Sequence, residues 1–169
     1  MFRLFRSLVL AAMLVAGLSA APALARNVTA DLTVLSEVLK AKGHKVQIKT
    51  AGNETYVRVE DPEYYGYNIY LYGCDNAGKN CRSIQFFSAF SPAKNPTLAA
   101  MNQYSVDHRY GHAFLDSDGE PNLAWDLYLG EKGMSEDEFF ANLDLWDAMT
   151  EIFGDFVFGK DGENDKPAK

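Results

Sequence analysis

The sequence has 169 residues, of which 23 are aspartate or glutamate and 16 are lysine or arginine, giving a formal net charge of −7. This acidic balance opposes binding to nucleic-acid phosphates and to anionic lipid surfaces. Hydrophobic residues make up 47% of the chain and aromatic residues 13%, which excludes a disordered protein and suits one domain with one core.

The N-terminal residues have the three-part pattern of a secretory signal peptide. Arg3 and Arg6 precede an apolar run over residues 8–18, and small residues lead to a cleavage position after Ala25. The apolar run is shorter than the roughly 20 residues that a membrane-spanning helix needs. The pattern predicts a cleaved signal peptide at 1–25, a periplasmic or secreted protein, and no membrane anchor after cleavage.

The rest of the chain divides into one domain at 26–158 and a polar tail at 159–169. The tail has no apolar periodicity, as is typical of a solvated segment. In the domain, helical and strand periods alternate without a linker or a repeat. A helical stripe predicts a first helix over 30–42, and strand patterns follow at 44–50, 56–60, 67–74 and 81–90, with two more on either side of an Asp/Gly turn at 116–120.

Capping residues mark the other two helices. Asn95 is placed as an N-cap with Pro96 at the first helical position, which predicts a second helix ending near Asp107. Ser135 and Glu138 have the spacing of a capping box, which predicts a final helix over 136–156. The order is α-β-β-β-β-α-β-β-α. Because the strands come as local hairpins, we predict an α+β two-layer domain, a mostly antiparallel sheet with the helices packed on one side.

The two cysteines, Cys74 and Cys81, flank a turn-rich segment between two predicted strands. Pairing them opposite each other also places Leu71 opposite Ile84, so that the apolar pairs collect on one face, which a slip of one residue would mix. With an oxidising destination, this register favours a disulfide over a reactive thiol pair or half of a metal site.

The opposite face of this hairpin carries both cysteines together with Tyr70, Tyr72, Gln85 and Phe87. If the helices cover the apolar face, these four side chains point outward and form a candidate protein interface. The alternative is that Arg58, lysine side chains or a chain terminus covers them.

One cluster of residues is typical of an active site: Asp107, His108, Arg109 and His112. It supports an alternative function, a small periplasmic hydrolase or ligand-binding protein. No nucleophile motif, phosphate loop or dinucleotide motif accompanies the cluster. The segment at 116–120 is a fragment of a calcium loop and is more typical of a tight turn. The sequence therefore predicts no catalytic residue, no cofactor and no metal.

Three segments, YLYGC…CRSIQFF, RYGHAFLDSDGEPNL and SEDEFFANLDLW, occur in an order that resembles the YbjN-domain proteins of bacteria. The resemblance covers about 32–156. It implies a fold like that of type III secretion chaperones, an α+β layer that often dimerises and binds peptide segments of partners. Members are called sensory transduction regulators and have no established enzyme activity. We therefore expect an exported, non-enzymatic module that binds another protein, or a second copy of itself, through a sheet face or edge.

Overall fold

The computed structural model describes residues 27–60, 65–91 and 96–159. Within these ranges the elements follow one another in the predicted order, which confirms the α+β fold class. They are α1 (Leu32–Ala41), β1 (Lys45–Ala51), β2 (Glu54–Glu60), β3 (Tyr67–Tyr72), β4 (Ser83–Ala89), α2 (Leu98–Asp107), β5 (His112–Leu115), β6 (Pro121–Tyr128) and α3 (Glu136–Phe158). The predicted signal peptide at 1–25 and the tail beyond Gly159 lie outside the described residues.

The six strands form one antiparallel sheet in the order β1-β2-β3-β4-β6-β5. Strands β3 and β4 pair with Leu71 opposite Ile84 and Tyr70 opposite Gln85, so the predicted register is confirmed. Strand β6 lies between β4 and β5, because the chain leaves β4, forms α2, and returns through β5 at the edge of the sheet.

One face of the sheet carries the core. Val57, Ile69 and Phe86 lie level with one another on neighbouring strands and are fully buried. Trp146 of α3 stacks on Phe86 with 5.5 Å between the ring centroids. Buried residues of α1 and α2 belong to the same core. The helices therefore pack on this face, and the opposite one, which we call the open face, has no described helix on it.

Helix starts follow from side chains that satisfy free backbone amides. The capping box of Ser135 and Glu138 is present at the start of α3, as predicted. Asn95, the predicted N-cap of α2, lies outside the described residues, and the cap is Thr97, whose hydroxyl oxygen accepts from the amide of Ala100 at 3.0 Å. Pro96 therefore lies before the cap and outside the helix, so its lack of an N–H removes no helical hydrogen bond. Among the described residues, no helix has the length and apolar character that crossing a membrane would require.

Gly154 lies inside α3 where the ring of Tyr65 packs against the helix. A Cβ atom there would overlap the Tyr65 ring, which contacts Phe90 at 4.9 Å and Phe158 at 5.9 Å between centroids. Alanine gains about 1 kcal/mol of helix propensity over glycine. Overpacking of a core costs about 1–3 kcal/mol. We therefore expect Gly154→Ala to lower the free energy of unfolding, measured by urea denaturation.

The matched background is Tyr65→Ala, which removes the ring that the new methyl group would meet. In that background Gly154→Ala should raise stability, because only the propensity gain is left. Stabilisation by Gly154→Ala in the wild-type protein would contradict the packing of Tyr65 on this helix.

Candidate functional site

A line of aromatic side chains crosses the open face from strand to strand. Ring centroids lie 5.1 Å apart for Tyr56 and Tyr70, 5.9 Å for Tyr70 and Phe87, and 6.3 Å for Phe87 and Phe114. The imidazole of His112 stacks beside Phe114 at 5.7 Å. We call these five residues the aromatic row. It runs from β2 to β5 and, apart from exposed His112, its members are half-buried.

The row continues across β6 because the residue of β6 at the crossing is small. Ala124 pairs with Phe87 on one side and with His112 on the other. A methyl side chain leaves the space above β6 free, so Phe87 and Phe114 meet over it. The contact therefore depends on β6 lying between β4 and β5.

The four residues of the predicted interface lie together on this face. Tyr72 is 44% exposed, whereas Tyr70, Gln85 and Phe87 are half-buried. Tyr56, Phe114 and His112 lie beside them, although the sequence did not predict these three as part of the interface. Strand alternation on β2 and β5 places them on the open face, but nothing local shows which strands lie beside the hairpin.

Polar side chains of the same face hold the aromatic rings in place. The Nη1 atom of Arg58 donates to Asn68 at 3.3 Å, and Asn68 donates through Nδ2 to the hydroxyl of Tyr70 at 3.0 Å. Arg58 therefore borders the aromatic row. Burial raises the pKa of Tyr70, and the hydrogen bond from Asn68 opposes that shift. Gln85 donates to Asp126 on β6 at 3.1 Å.

Cys74 and Cys81 are joined by a disulfide at the end of the β3–β4 hairpin. The regular pairing stops at Tyr72 opposite Ser83, and the chain turns through Gly73 and Asn80, both at positive φ. The expectation that both cysteines continue the open face is therefore wrong for Cys81. It is 7% exposed, belongs to the core and pairs as an isolated bridge with Ala30.

Asp107 and Arg109 of the candidate cluster are exposed, and its two histidines, His108 and His112, lie on different sides of the sheet. His108 stacks on Tyr104 at 4.0 Å, and its Nδ1 atom donates to the Tyr104 carbonyl oxygen at 3.0 Å. Tyr104 belongs to the core on the helix side, whereas His112 lies on the open face. The structure thus separates the two histidines, and the hydrolase alternative loses the convergence that it requires.

The segment at 116–120 is a tight turn, as predicted. The Asp116 carboxylate accepts from the amides of Asp118 and Glu120, each at 2.9 Å. The bond from Glu120 holds the pKa of Asp116 below its usual value. Both of these bonds go to Oδ1, and Oδ2 accepts from the side-chain amide of Asn122 at 3.3 Å, so the carboxylate is engaged within its own turn. Within the described ranges, no group of three or more histidine, cysteine or acidic residues is arranged to hold a metal ion.

The model of the YbjN family, described as "Putative bacterial sensory transduction regulator", matches residues 31–158. The crystal structure of YbjN from E. coli is similar to this chain with a TM-score of 0.50 and 16% identity, covering 78% of this chain and 92% of that one. The HopA1–SchA chaperone–effector complex contains a chain with a TM-score of 0.44 and 13% identity, covering 71% and 91%. No curated protein matches the sequence.

Proposed function

The chain belongs to the YbjN family, and on that premise we propose that it is an exported, non-enzymatic module that binds a partner protein on the open face of its sheet. The family description, that of a regulator of sensory transduction, supports a role in binding. The leader pattern at 1–25 supports action in the periplasm or outside the cell.

The aromatic row is the observation that carries this proposal. Rigid aromatic side chains are enriched at the centres of protein interfaces because they bury large areas and lose little conformational entropy. Here the rings are already held in place by one another and by the sheet, so they lose little conformational freedom on binding. Polar groups such as Arg58 and Asp126 border the rings, which resembles the apolar centre and polar rim of known interfaces.

Site-specific photo-crosslinking in intact cells tests the proposal. A photoreactive phenylalanine analogue in place of Tyr72 keeps a ring at that position and should give one discrete adduct. The matched control places the analogue at Ile152 on α3, since Ile152 is 46% exposed and Tyr72 is 44% exposed. We expect no discrete adduct from the control position. An adduct of twice the mass of the chain would identify a second copy as the partner.

Phe87→Ala, introduced beside the analogue, should reduce the adduct about tenfold, since truncating a central aromatic anchor costs 1–2 kcal/mol or more. Phe87→Leu keeps an apolar side chain in the row and should lose less. Both variants are compared with the parent by melting temperature, so that a loss of adduct is not confused with unfolding. Equal amounts of adduct from positions 72 and 152, or an amount of adduct that Phe87→Ala does not reduce, would overturn the proposal.

A further inference from the structure

Two exposed tyrosines stand on either side of a serine at the disulfide end of the open face. Ser83 of β4 pairs with Tyr72 of β3 on one side and with Tyr128 of β6 on the other. Tyr128 is 69% exposed. The two tyrosines are two strands apart, so their backbones are separated by about 10 Å with only a hydroxymethyl group between them. We call the space above Ser83, between the strands that carry these two tyrosines, the slot.

Asp126 borders the slot on β6, and Glu54 lies on the other side of Tyr72, on β2. Asp126 lies on β6 two residues before Tyr128, and Glu54 begins β2, where both it and Tyr72 line one depression. The pKa of Tyr72 is raised first by burial and then by the negative charges of Glu54 and Asp126. The two carboxylates therefore act on the same ring from opposite sides.

These two carboxylates have no cation of their own in the described part of the chain. The ion pairs seen there join Lys49 to Glu60 and Arg82 to Glu131. Asp126 accepts a hydrogen bond from Gln85, which is neutral. The slot thus combines two π faces with unneutralised negative charge, and what complements both is a cation that stacks.

We infer that this slot, formed by Tyr72 and Tyr128 with Asp126 beside it, receives an arginine side chain of the partner protein. Because the strands of the two tyrosines are about 10 Å apart, a cation above Ser83 can come within the roughly 6 Å over which an aromatic ring attracts it. Arginine fits better than lysine because its planar guanidinium stacks on rings and donates in pairs to a carboxylate. The inference rests on the proposed function and adds the chemistry of the partner: an arginine-bearing segment laid along the aromatic row.

Selection from a phage-displayed library of random twelve-residue peptides tests the inference on the oxidised protein. We expect selected peptides to be enriched in arginine, and replacing that arginine by its neutral analogue citrulline should weaken binding about tenfold. The variant Glu54→Gln/Asp126→Asn should lose the preference for arginine over citrulline and keep weak binding. The control Asp144→Asn/Glu151→Gln removes the same charge from exposed positions of α3 and should keep the preference.

Peptides that bind through Phe87 without any preference for arginine would overturn the inference and leave the proposed function standing. Selection of no peptide at all would overturn the inference as well, while the crosslinking experiment would still decide the proposed function. An equal loss of preference in the α3 control would show that net charge, and not the slot, selects the peptide, which also overturns it.

Discussion

Replacing Trp146 by alanine should lower the free energy of unfolding by about 3–5 kcal/mol, the cost of removing a large aromatic side chain from a core. Trp146 is fully buried. It stacks on Phe86 at 5.5 Å and meets Tyr67 edge-on at 6.0 Å, so it joins α3 to the two central strands β3 and β4. Urea denaturation followed by circular dichroism measures the loss, which is a large share of the roughly 5–15 kcal/mol of a typical free energy of unfolding.

Two matched variants separate packing from other effects. Trp146→Phe keeps a ring against Phe86 and removes an indole N–H that has no hydrogen-bond partner in the described structure, so it should cost less than half as much. Trp125→Ala removes the other tryptophan, which is half-buried and 6.1 Å from Phe86, and should also cost less. A loss under about 1 kcal/mol for Trp146→Ala would contradict the packing of α3 on this sheet face.

The parts of the fold that could be predicted are those that depend on residues close together in the sequence. Alternation in β3 and β4 determines which side chains face the core, and a slip of one residue would expose Ile69 and Phe86. The capping box of α3 needs only Ser135 and Glu138, three residues apart. Local patterns of this kind need no knowledge of which strands are neighbours.

The aromatic row could be predicted only in part, because it depends on strand order. Tyr70 and Phe87 belong to one hairpin, so their shared face follows from its register. Phe114 joins them only because β6 lies between β4 and β5 and carries Ala124 at the crossing. Alanine in a strand gives no signal of that role, and the pairing of β4 with β6 spans more than thirty residues of sequence.

The burial of Cys81 was beyond prediction for a similar reason. The segment before α1 runs beside the hairpin end, where Ala30 bridges to Cys81 and Val28 bridges to Met134. No periodicity marks a segment held by single bridges. Its consequence is that the disulfide lies between an exposed loop and the edge of the core.

Removing the disulfide with Cys74→Ala/Cys81→Ala should lower the free energy of unfolding by about 2–3 kcal/mol. On the chain-entropy model this is the value for so short a loop, because the bond restricts the unfolded chain more than the folded one. Cys81 also leaves a small gap beside Ala30, which adds to the loss. Urea denaturation of the oxidised parent and the variant measures the difference.

The parent protein itself supplies the control, since reduction breaks the bond without deleting either side chain. Reduced parent and variant should therefore both unfold at lower urea concentrations than the oxidised parent, the variant slightly first because of the gap at Cys81. A second pair of proteins tests the proposed export. The full chain should yield a mature form that begins at Arg26 and titrates with no free thiol. A form lacking residues 2–25 should stay in the cytoplasm with both thiols reduced. Two free thiols in the exported form would contradict the disulfide and its contribution to stability. The arrangement of Tyr72 opposite Ser83 would then depend on strand pairing alone.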